Sequence, residues 1–216
     1  MKRAVRPVSL AGSELTGVRH VCALFNSDEE EYRVLMPFIR EGFEVGDSAV
    51  HIVNPGQEAD HMQRLASGGI DADAARRSGQ LDVRSSTDAY LQDGHFDQER
   101  MLEVFRQFAG GSSEASTARR FVCRMDWAAL GRTHVDNLIE FESRANDIWS
   151  GRDDAVICTY HLRQFTGDAV IDIVRTHPFV IIGGVLRQNP FFVTPEQFLP
   201  ELRARRRTET PRRTGV

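Results

Sequence analysis

Histidine, cysteine and carboxylate side chains offer the most chemistry in this sequence. His20 and Cys22 stand two apart in the apolar run Val18 to Phe25, so on an extended strand they project from one sheet face. Together with Cys158, His161 and His177 they have the donor types of a metal site. Zinc sites normally draw on closely spaced pairs, however, and only Cys158-x-x-His161 approaches that spacing. Alternation also sets Cys158 and Tyr160 on one face of their strand and turns His161 elsewhere. No metal and no cofactor is therefore expected. Cys22, Cys123 and Cys158 all lie in apolar strands, where free cysteine is commonly a small buried hydrophobe. His20 reads first as a core histidine and second as a polar group beside a pocket. His177 precedes Pro178 at a helix-to-strand corner, where its ring can cap the helix C-terminus.

Arg124, Met125, Asp126 and Trp127 close another strand, and in open α/β sheets ligands bind in the crevice beyond such ends. Arg124 and Asp126 are two apart and are expected on one face, paired with each other or with Glu142. Trp127 is expected to pack, or to close a small apolar pocket. Glu140 and Glu142 fall on a helix, which turns them to different sides, so they make no catalytic carboxylate pair. No G-x-S-x-G, H-E-x-x-H or G-x-G-x-x-G motif occurs, and no nucleophile is nominated with its base. The chain is not expected to be an enzyme.

The elements that must position these residues alternate between strand and helix. Strands are expected at Val18–Phe25, Ser48–Val53, Leu81–Arg84, Arg120–Met125, Ala155–Tyr160 and Phe179–Leu186, where apolar runs end in turn residues. Between them, helical spacing runs from Ser27 to Gly42, Gln57 to Ala66, Ile70 to Arg77, Asp97 to Phe108, His134 to Trp149 and Asp168 to Thr176. A last helix spans Pro195 to about Arg206. Ser27-x-x-Glu30 is a capping box, with Asp28 and Glu29 favourably placed in the first turn. Pro37 is expected to kink its helix or split off the last turn, and Pro200 to interrupt the last helix. Gly183-Gly184 reads as a bulge or close approach within the last strand. Such alternation implies right-handed crossovers and a three-layer α/β domain, its mostly parallel sheet covered by helices on both faces.

Composition bounds the rest. The 216 residues are 41% hydrophobic and 27% charged, which suits one globular domain. No run of about 18 apolar residues occurs, so a cytoplasmic protein with no membrane span is expected. Net charge is −4, yet residues 203–216 carry +5 and leave −9 on residues 1–202, the difference between the two. An acidic body with a short Arg-rich tail does not suggest direct nucleic-acid binding. The expected organisation is a flexible leader over 1–16, one domain over 17–202 and the tail over 203–216, with Gly110–Ser116 a flexible surface loop.

Several short motifs follow one another in an order that resembles a known family. They are His20-x-Cys22-Ala-Leu-Phe25, then Phe38-Ile-Arg-Glu-Gly42-Phe-Glu-x-Gly46-Asp, Gly79-Gln-Leu81, and Tyr90 with Gly94-His-Phe96. Next come Arg124-Met-Asp126-Trp127, Glu142 with Asn146, Cys158-Thr-Tyr160, His177-Pro178 and Asn189-Pro190-Phe-Phe192. Over roughly residues 17 to 200 the pattern resembles the MEDS sensory domain. That resemblance implies sensing of a simple hydrocarbon derivative or related small molecule in transcriptional control. Beneath it, the opening strand, turn and helix are similar to those of RecA- and KaiC-type ATPases, whose turn carries G-x-x-x-x-G-K-[ST]. Here that stretch is Phe25-Asn-Ser-Asp-Glu-Glu-Glu-Tyr32, without glycine or lysine, and Lys2 is the only lysine in the sequence. The expectation is an ATPase-like scaffold lacking Walker A and its chemistry.

The residues nominated for ligand binding are His20, Cys22, Asn26, Arg124, Asp126, Trp127, Glu142, Cys158, Tyr160 and His177. The pocket is expected at the strand ends near His20, Asn26, Asp126 and Trp127. Beyond the domain the sequence leaves no room for a helix-turn-helix, kinase or phosphoacceptor segment. Output is thus expected through a regulatory partner: a kinase, an anti-sigma factor or a transcription factor. A homodimer is compatible with this reading. The alternative is a ligand-independent interaction module of a partner-switching circuit.

Overall fold

The computed structural model describes residues 6–92, 94–110, 118–130 and 132–209. In chain order the strands are β1 (Val8–Leu10), β2 (Ser13–Leu15), β3 (His20–Phe25), β4 (Ser48–Val53) and β5 (Leu81–Ser85). Then come β6 (Leu91–Gln92), β7 (His95–Phe96), β8 (Arg119–Arg124), β9 (Ala155–His161), β10 (Phe179–Ile182) and β11 (Val185–Gln188). The helices are α1 (Asp28–Glu44), α2 (Glu58–Ser67), α3 (Ala72–Ser78), α4 (Ser86–Tyr90) and α5 (Gln98–Gly110). They continue with α6 (Arg132–Trp149), α7 (Gly167–Arg175) and α8 (Pro195–Glu209).

Seven strands form one sheet in the order β11-β10-β3-β9-β8-β4-β5, parallel except at β11. Alternation along each strand divides the core into two layers. Cys22, Leu24, Cys123, Cys158 and Tyr160 face α5, α6, α7 and α8, with Phe105, Phe141, Trp149 and Phe198 buried among them. Val21, Ala23, Phe25, Val122 and Ile157 face α1, α2 and α3, against Leu35, Phe38, Ile39 and Leu65. Burying each such Leu, Ile or Phe contributes roughly 1.5–3 kcal/mol before conformational entropy is set against it.

The three-layer α/β expectation agrees with this architecture, while several local readings are corrected. The loose leader over 1–16 is in part a hairpin: Val8, Leu10 and Leu15 are buried in the α1-side core, joined by Ala11-Gly12, both at positive φ. Two residues at positive φ make the turn that matches strand twist, and strands of three residues are too short to show periodicity. The Phe179–Leu186 strand is likewise a hairpin. Gly183 and Gly184 (φ 59° and 75°) form its turn rather than a bulge, so β11 runs back along β10.

Pro37 neither splits nor ends α1, and Pro200 lies inside a continuous α8. A mid-helix proline costs about 3 kcal/mol, and in α1 packing beyond it offsets that cost. Phe38, Ile39 and Gly42 are buried, and Arg120 Nη1 donates to the Phe38 carbonyl at 2.5 Å. Gly42 is required there, because a Cβ would lie 2.6 Å from Arg120 Cδ. Arg120 Nε continues to Asp47 at 2.9 Å, so the Gly42 to Asp47 motif serves structure. The Arg-rich tail begins later than expected: residues 203–209 belong to α8, with Arg203 and Arg206 paired to Glu140 and Arg205 to Asp172. The remainder of the tail, and the Gly110–Ser116 loop after Gly110, lie outside the described residues.

Candidate functional site

The helix after β3 packs on one sheet face, whereas those after β8 and β9 pack on the other. Crevices therefore open at the C-terminal ends of these strands, where α/β sheets bind ligands. The protein's own charged side chains occupy that place. Asp126, just beyond β8, accepts from the His161 backbone amide at 3.0 Å and sits 2.8 Å from His161 Nδ1. The other ring nitrogen faces Asp28 at 3.2 Å and Glu31 at 3.4 Å. Arg124 Nη2 reaches Glu31 at 2.6 Å and Asp28 at 2.9 Å, while Nη1 donates to Gln57 Oε1 at 2.8 Å. Thr159 Oγ1 donates to the second Glu31 oxygen at 3.2 Å, and Asn54 Nδ2 to Asp126 at 3.3 Å.

Electrostatics follow from these contacts. Burial raises the Asp126 pKa, but the hydrogen bonds from His161 outweigh it and hold the carboxyl below its usual range. Burial likewise lowers the His161 pKa, and Asp126 with Glu31 outweighs it upward. For Glu31 burial wins and its pKa is raised in spite of Arg124. Arg124 thus pairs with Glu31 and Asp28, and not with Asp126 or Glu142 as expected. Asp126 has already left the strand for a short 3-10 turn (Asp126–Leu130), so strand alternation no longer governs it.

The turn that carries the phosphate-binding motif in RecA-type ATPases is closed from within here. Ser27 Oγ accepts from the Glu30 amide at 3.3 Å, and Glu30 Oε2 accepts from the Asn26 backbone at 2.8 Å and side chain at 3.1 Å. Asn26 is therefore an exposed member of a helix start. Trp127 belongs to the aromatic core, stacked 5.1 Å from Tyr90 and tilted against Phe96 at 4.8 Å.

A second cluster lies inside the core, on the opposite sheet face. Glu142 from α6 faces His20 Nε2 at 3.1 Å, His177 Nε2 at 3.5 Å and Cys158 Sγ at 3.6 Å. Its other oxygen accepts from Tyr160 at 2.7 Å. Cys158 Sγ is 3.5 Å from His20 Nε2, and His20 Nδ1 lies 3.1 Å from Asn146 Oδ1. Burial works to raise the Glu142 pKa, and the rings of His177 and His20 outweigh it, holding the carboxyl well below its usual range. The order Cys158–His20–Asn146 is that of a thiol hydrolase. All three are buried, though, and burial with the Glu142 charge pushes the thiol pKa well up, which disfavours a nucleophilic thiolate. Cys22 is buried in register with Cys158, and all three cysteines are free.

The ten nominated residues thus separate. His20, Glu142, Cys158, Tyr160 and His177 converge inside the core; Arg124 and Asp126 join the strand-end cluster; Cys22, Asn26 and Trp127 stand apart from both. Sequence reasoning missed Asp28, Glu31 and His161 as strand-end partners, although the run of acids beside the opening strand was a signal. It also missed a buried relay in which Tyr32 OH lies 2.6 Å from His61 Nδ1 and His61 Nε2 lies 2.8 Å from His51 Nδ1. Burial depresses the pKa of both histidines, His61 to about 4. A histidine amid the apolar run of β4 was its sole sequence trace.

Just beyond the ends of β8 and β9, on the α6 side, is a cavity of about 430 Å³. Its lining is mixed: Ala129, Val135, Ile139, Phe165 and Leu202 are apolar, while Gln164, Thr166, three aspartates, and Arg205 and Arg206 of α8 are polar or charged. None of the ten nominated residues lines it.

A mostly parallel sheet with a strand-end crevice and no phosphate-binding turn defines a RecA/KaiC-like scaffold without Walker A. The crystal structure of a KaiC-like protein from the archaeon Pyrococcus horikoshii matches it with a TM-score of 0.50 at 15% identity, over 77% of this chain and 71% of that one. The chain belongs to the MEDS family, the methanogen/methylotroph, DcmR sensory domain, whose model matches residues 19–178. It is 23% identical over 170 residues to the transcriptional repressor DcmR of Methylorubrum extorquens, which covers 78% of this chain. The match spans 61% of that repressor's length. No helix among the described residues is long and apolar enough to cross a membrane.

Proposed function

We propose that this sensory domain binds a small organic molecule in the cavity beyond β8 and β9 and regulates transcription through a protein partner. The cavity carries this reading: it lies where α/β sheets take ligands, and its volume suits a small molecule. Self-closure of the nucleotide turn by Ser27 and Glu30 supports a ligand other than ATP. Family membership and the likeness to a transcriptional repressor support the regulatory setting. The ligand class that suits the apolar part of the lining is a simple hydrocarbon derivative. The action is non-catalytic and cytoplasmic, and the partner is a kinase, an anti-sigma factor or a transcription factor. Occupancy shifts the population of two conformations through α8, whose Arg205 and Arg206 line the cavity.

The test is a thermal-shift series with one-carbon and small halogenated or oxygenated compounds, with Mg-ATP as comparison. A ligand at about 100 times its Kd adds about 2.7 kcal/mol, a shift of several degrees at this size. Ala129→Leu, which narrows the cavity from its lining, should weaken that shift and keep the fold. A response to Mg-ATP alone would overturn the reading. A flat series, joined to a tight protein partner insensitive to Ala129→Leu, would favour the ligand-independent module.

A further inference from the structure

We propose that His20, Glu142, Cys158 and His177 form a closed four-coordinate site for a zinc-class divalent cation inside the core. The inference is independent of the ligand cavity. The four donor atoms all lie within 4.8 Å of one another. Their closest separations are 3.1 Å (His20 Nε2 to Glu142 Oε2), 3.5 Å (His20 Nε2 to Cys158 Sγ), 3.6 Å (Cys158 Sγ to Glu142 Oε2) and 3.5 Å (His177 Nε2 to Glu142 Oε2). A tetrahedron with Zn–N and Zn–O near 2.1 Å and Zn–S near 2.3 Å has edges of about 3.3–3.6 Å. Four of the six edges of the interior cluster are already within a few tenths of an ångström of that polyhedron.

Hydrogen-bond bookkeeping points to the same conclusion. Asn146 Nδ2 faces three carbonyl oxygens, those of Glu142, Ser143 and Thr176, so it is the donor end of the amide and Oδ1 must accept. His20 Nδ1, 3.1 Å from that Oδ1, therefore carries its hydrogen. His177 Nδ1 lies 2.9 Å from the Ile173 carbonyl and donates to it, since the Thr176 hydroxyl 3.0 Å from the ring sends its own hydrogen to that carbonyl at 2.8 Å. In neutral rings both Nε2 atoms are then lone pairs, and both point at the Glu142 carboxylate. Acceptors facing acceptors repel, and His177 Nε2, 3.5 Å from the carboxylate, makes no hydrogen bond of good geometry. Protons on both rings, whose centroids are 4.2 Å apart, or a proton on Glu142 or Cys158 would meet some of these contacts, whereas a cation between the rings and the carboxylate would meet all of them at once. Two like charges so close in the core are costly, whereas a metal turns every lone pair into a ligand.

The outer contacts fit as well. Metal-bound histidines donate their second nitrogen to a carbonyl or amide, as His20 and His177 do here, and Tyr160 holds the Glu142 oxygen that the metal would not use. Binding converts the Cys158 thiol to a thiolate–metal bond and releases its proton to solvent. Two positive charges then meet one thiolate and one carboxylate, so the buried site is neutral. The four ligands are nearly inaccessible (His20 1%, Glu142 0%, Cys158 4%, His177 0%) and leave no open position, which marks a structural rather than a catalytic metal. It would tie β3, β9, α6 and the corner before β10 into one unit. The other acid–histidine set, Asp28, Glu31 and His161, has no such need, because Arg124 already supplies its cation.

The experiment uses the full chain. Metal analysis of protein purified without added metal should find about one zinc per chain that survives dialysis against a weak chelator. After stripping and refolding with Co²⁺, tetrahedral d–d absorption should appear together with a thiolate-to-cobalt charge-transfer band. Cys158→Ser should lose that band, and Cys123→Ser, which changes a cysteine outside the set, should keep it. Should Cys158→Ser fail to fold, the unmodified protein's charge-transfer band still decides the matter against Cys123→Ser. Folded protein holding less than about a tenth of an equivalent of metal would overturn the proposal. So would a cobalt spectrum without charge transfer, since it would place the ion at oxygen and nitrogen ligands elsewhere.

Discussion

Two acid–histidine clusters share β9 and differ in how their negative charge is met. Thr159 and His161 point toward α1, where Asp28 and Glu31 meet the Arg124 guanidinium and Asp126 holds the other side of the His161 ring. Cys158 and Tyr160 point toward α6, where Glu142 meets the rings of His20 and His177, the Tyr160 hydroxyl and the Cys158 thiol, none of them a permanent cation. The strand-end cluster is thus closed by the chain's own permanent cation, at the place where a RecA-like scaffold would take a phosphate. The interior cluster has side chains and geometry for a cation but no arginine near its carboxylate among the described contacts. Charge at the ligand-binding end has been satisfied internally, and the requirement for an outside partner has moved into the core.

The comparison breaks most visibly at Arg124. Arg124→Met leaves Glu31 buried without its cation, and removing one partner of a buried pair costs about 3–5 kcal/mol. Urea denaturation should show that loss as a lower midpoint. Adding Glu31→Leu should recover most of it, because the desolvated carboxylate goes too. Recovery would establish that the guanidinium serves only to neutralise the acids. Persistent loss would mean that Arg124 also holds Gln57 and the end of β4 in place.

On the interior side, Tyr160→Phe removes the hydroxyl that donates to Glu142 at 2.7 Å. A hydrogen bond to a charged group contributes about 1.5–3 kcal/mol, and the same denaturation series should register a loss in that range. The isosteric ring leaves packing against Phe165 unchanged. A loss below about 0.5 kcal/mol would show that the Glu142 charge is already met by something stronger than a phenol.

The histidines give the comparison opposite signs in pH. His161 has its folded-state pKa raised, so its contribution is fully present below the unfolded value near 6.5 and is lost as pH rises through the folded value. Asp126, Asp28, Glu31 and Arg124 are the charges that face it. The relay behaves oppositely. His51 and His61 are depressed by burial, so the unfolded chain takes up protons that the folded chain refuses, and stability falls as pH drops below about 6.5. Each contributes about 1.4 kcal/mol per pH unit there. His61→Gln should flatten the loss between about pH 6.5 and pH 5 by one histidine's share. Asp126→Asn should remove the loss on the alkaline side, and equal slopes in variant and parent would refute the assignment.

Much of the fold was legible because strand alternation and apolar runs report burial directly. The order of six strands, the Ser27 cap and the absent phosphate turn all came from residue types at short range. Short hairpins escaped, since Val8-Ser-Leu10 offers a single alternation and Gly183-Gly184 can be read as a bulge as easily as a turn. The site was legible as two separate facts. Alternation correctly sent Cys158 and Tyr160 to one side and His161 to the other. It did not tell that Glu142, on a helix distant in sequence, would meet His20 and His177, because side-chain convergence across layers leaves no local periodicity. Trp127 shows the same limit: its position just past a strand end left packing and a pocket wall both open, and its ring packs inward on Tyr90.

The smallest effect tests how locally the strand-end cluster is built. Ser27 Oγ caps α1 by accepting from the Glu30 amide, and the same first turn presents Asp28 and Glu31 to Arg124 and His161. Ser27→Ala should cost about 1 kcal/mol, the usual value of a lost N-cap. If the first turn frays, the acids swing away from Arg124, and the alkaline-side loss assigned to His161 should shrink in the variant. The interior cluster draws its members from β3, α6, β9 and the corner before β10, with no contribution from α1. Its cobalt spectrum should therefore be identical in Ser27→Ala and the parent. A spectrum that changes with this surface hydroxyl would mean the two clusters communicate through β9, and their independence would have to be given up.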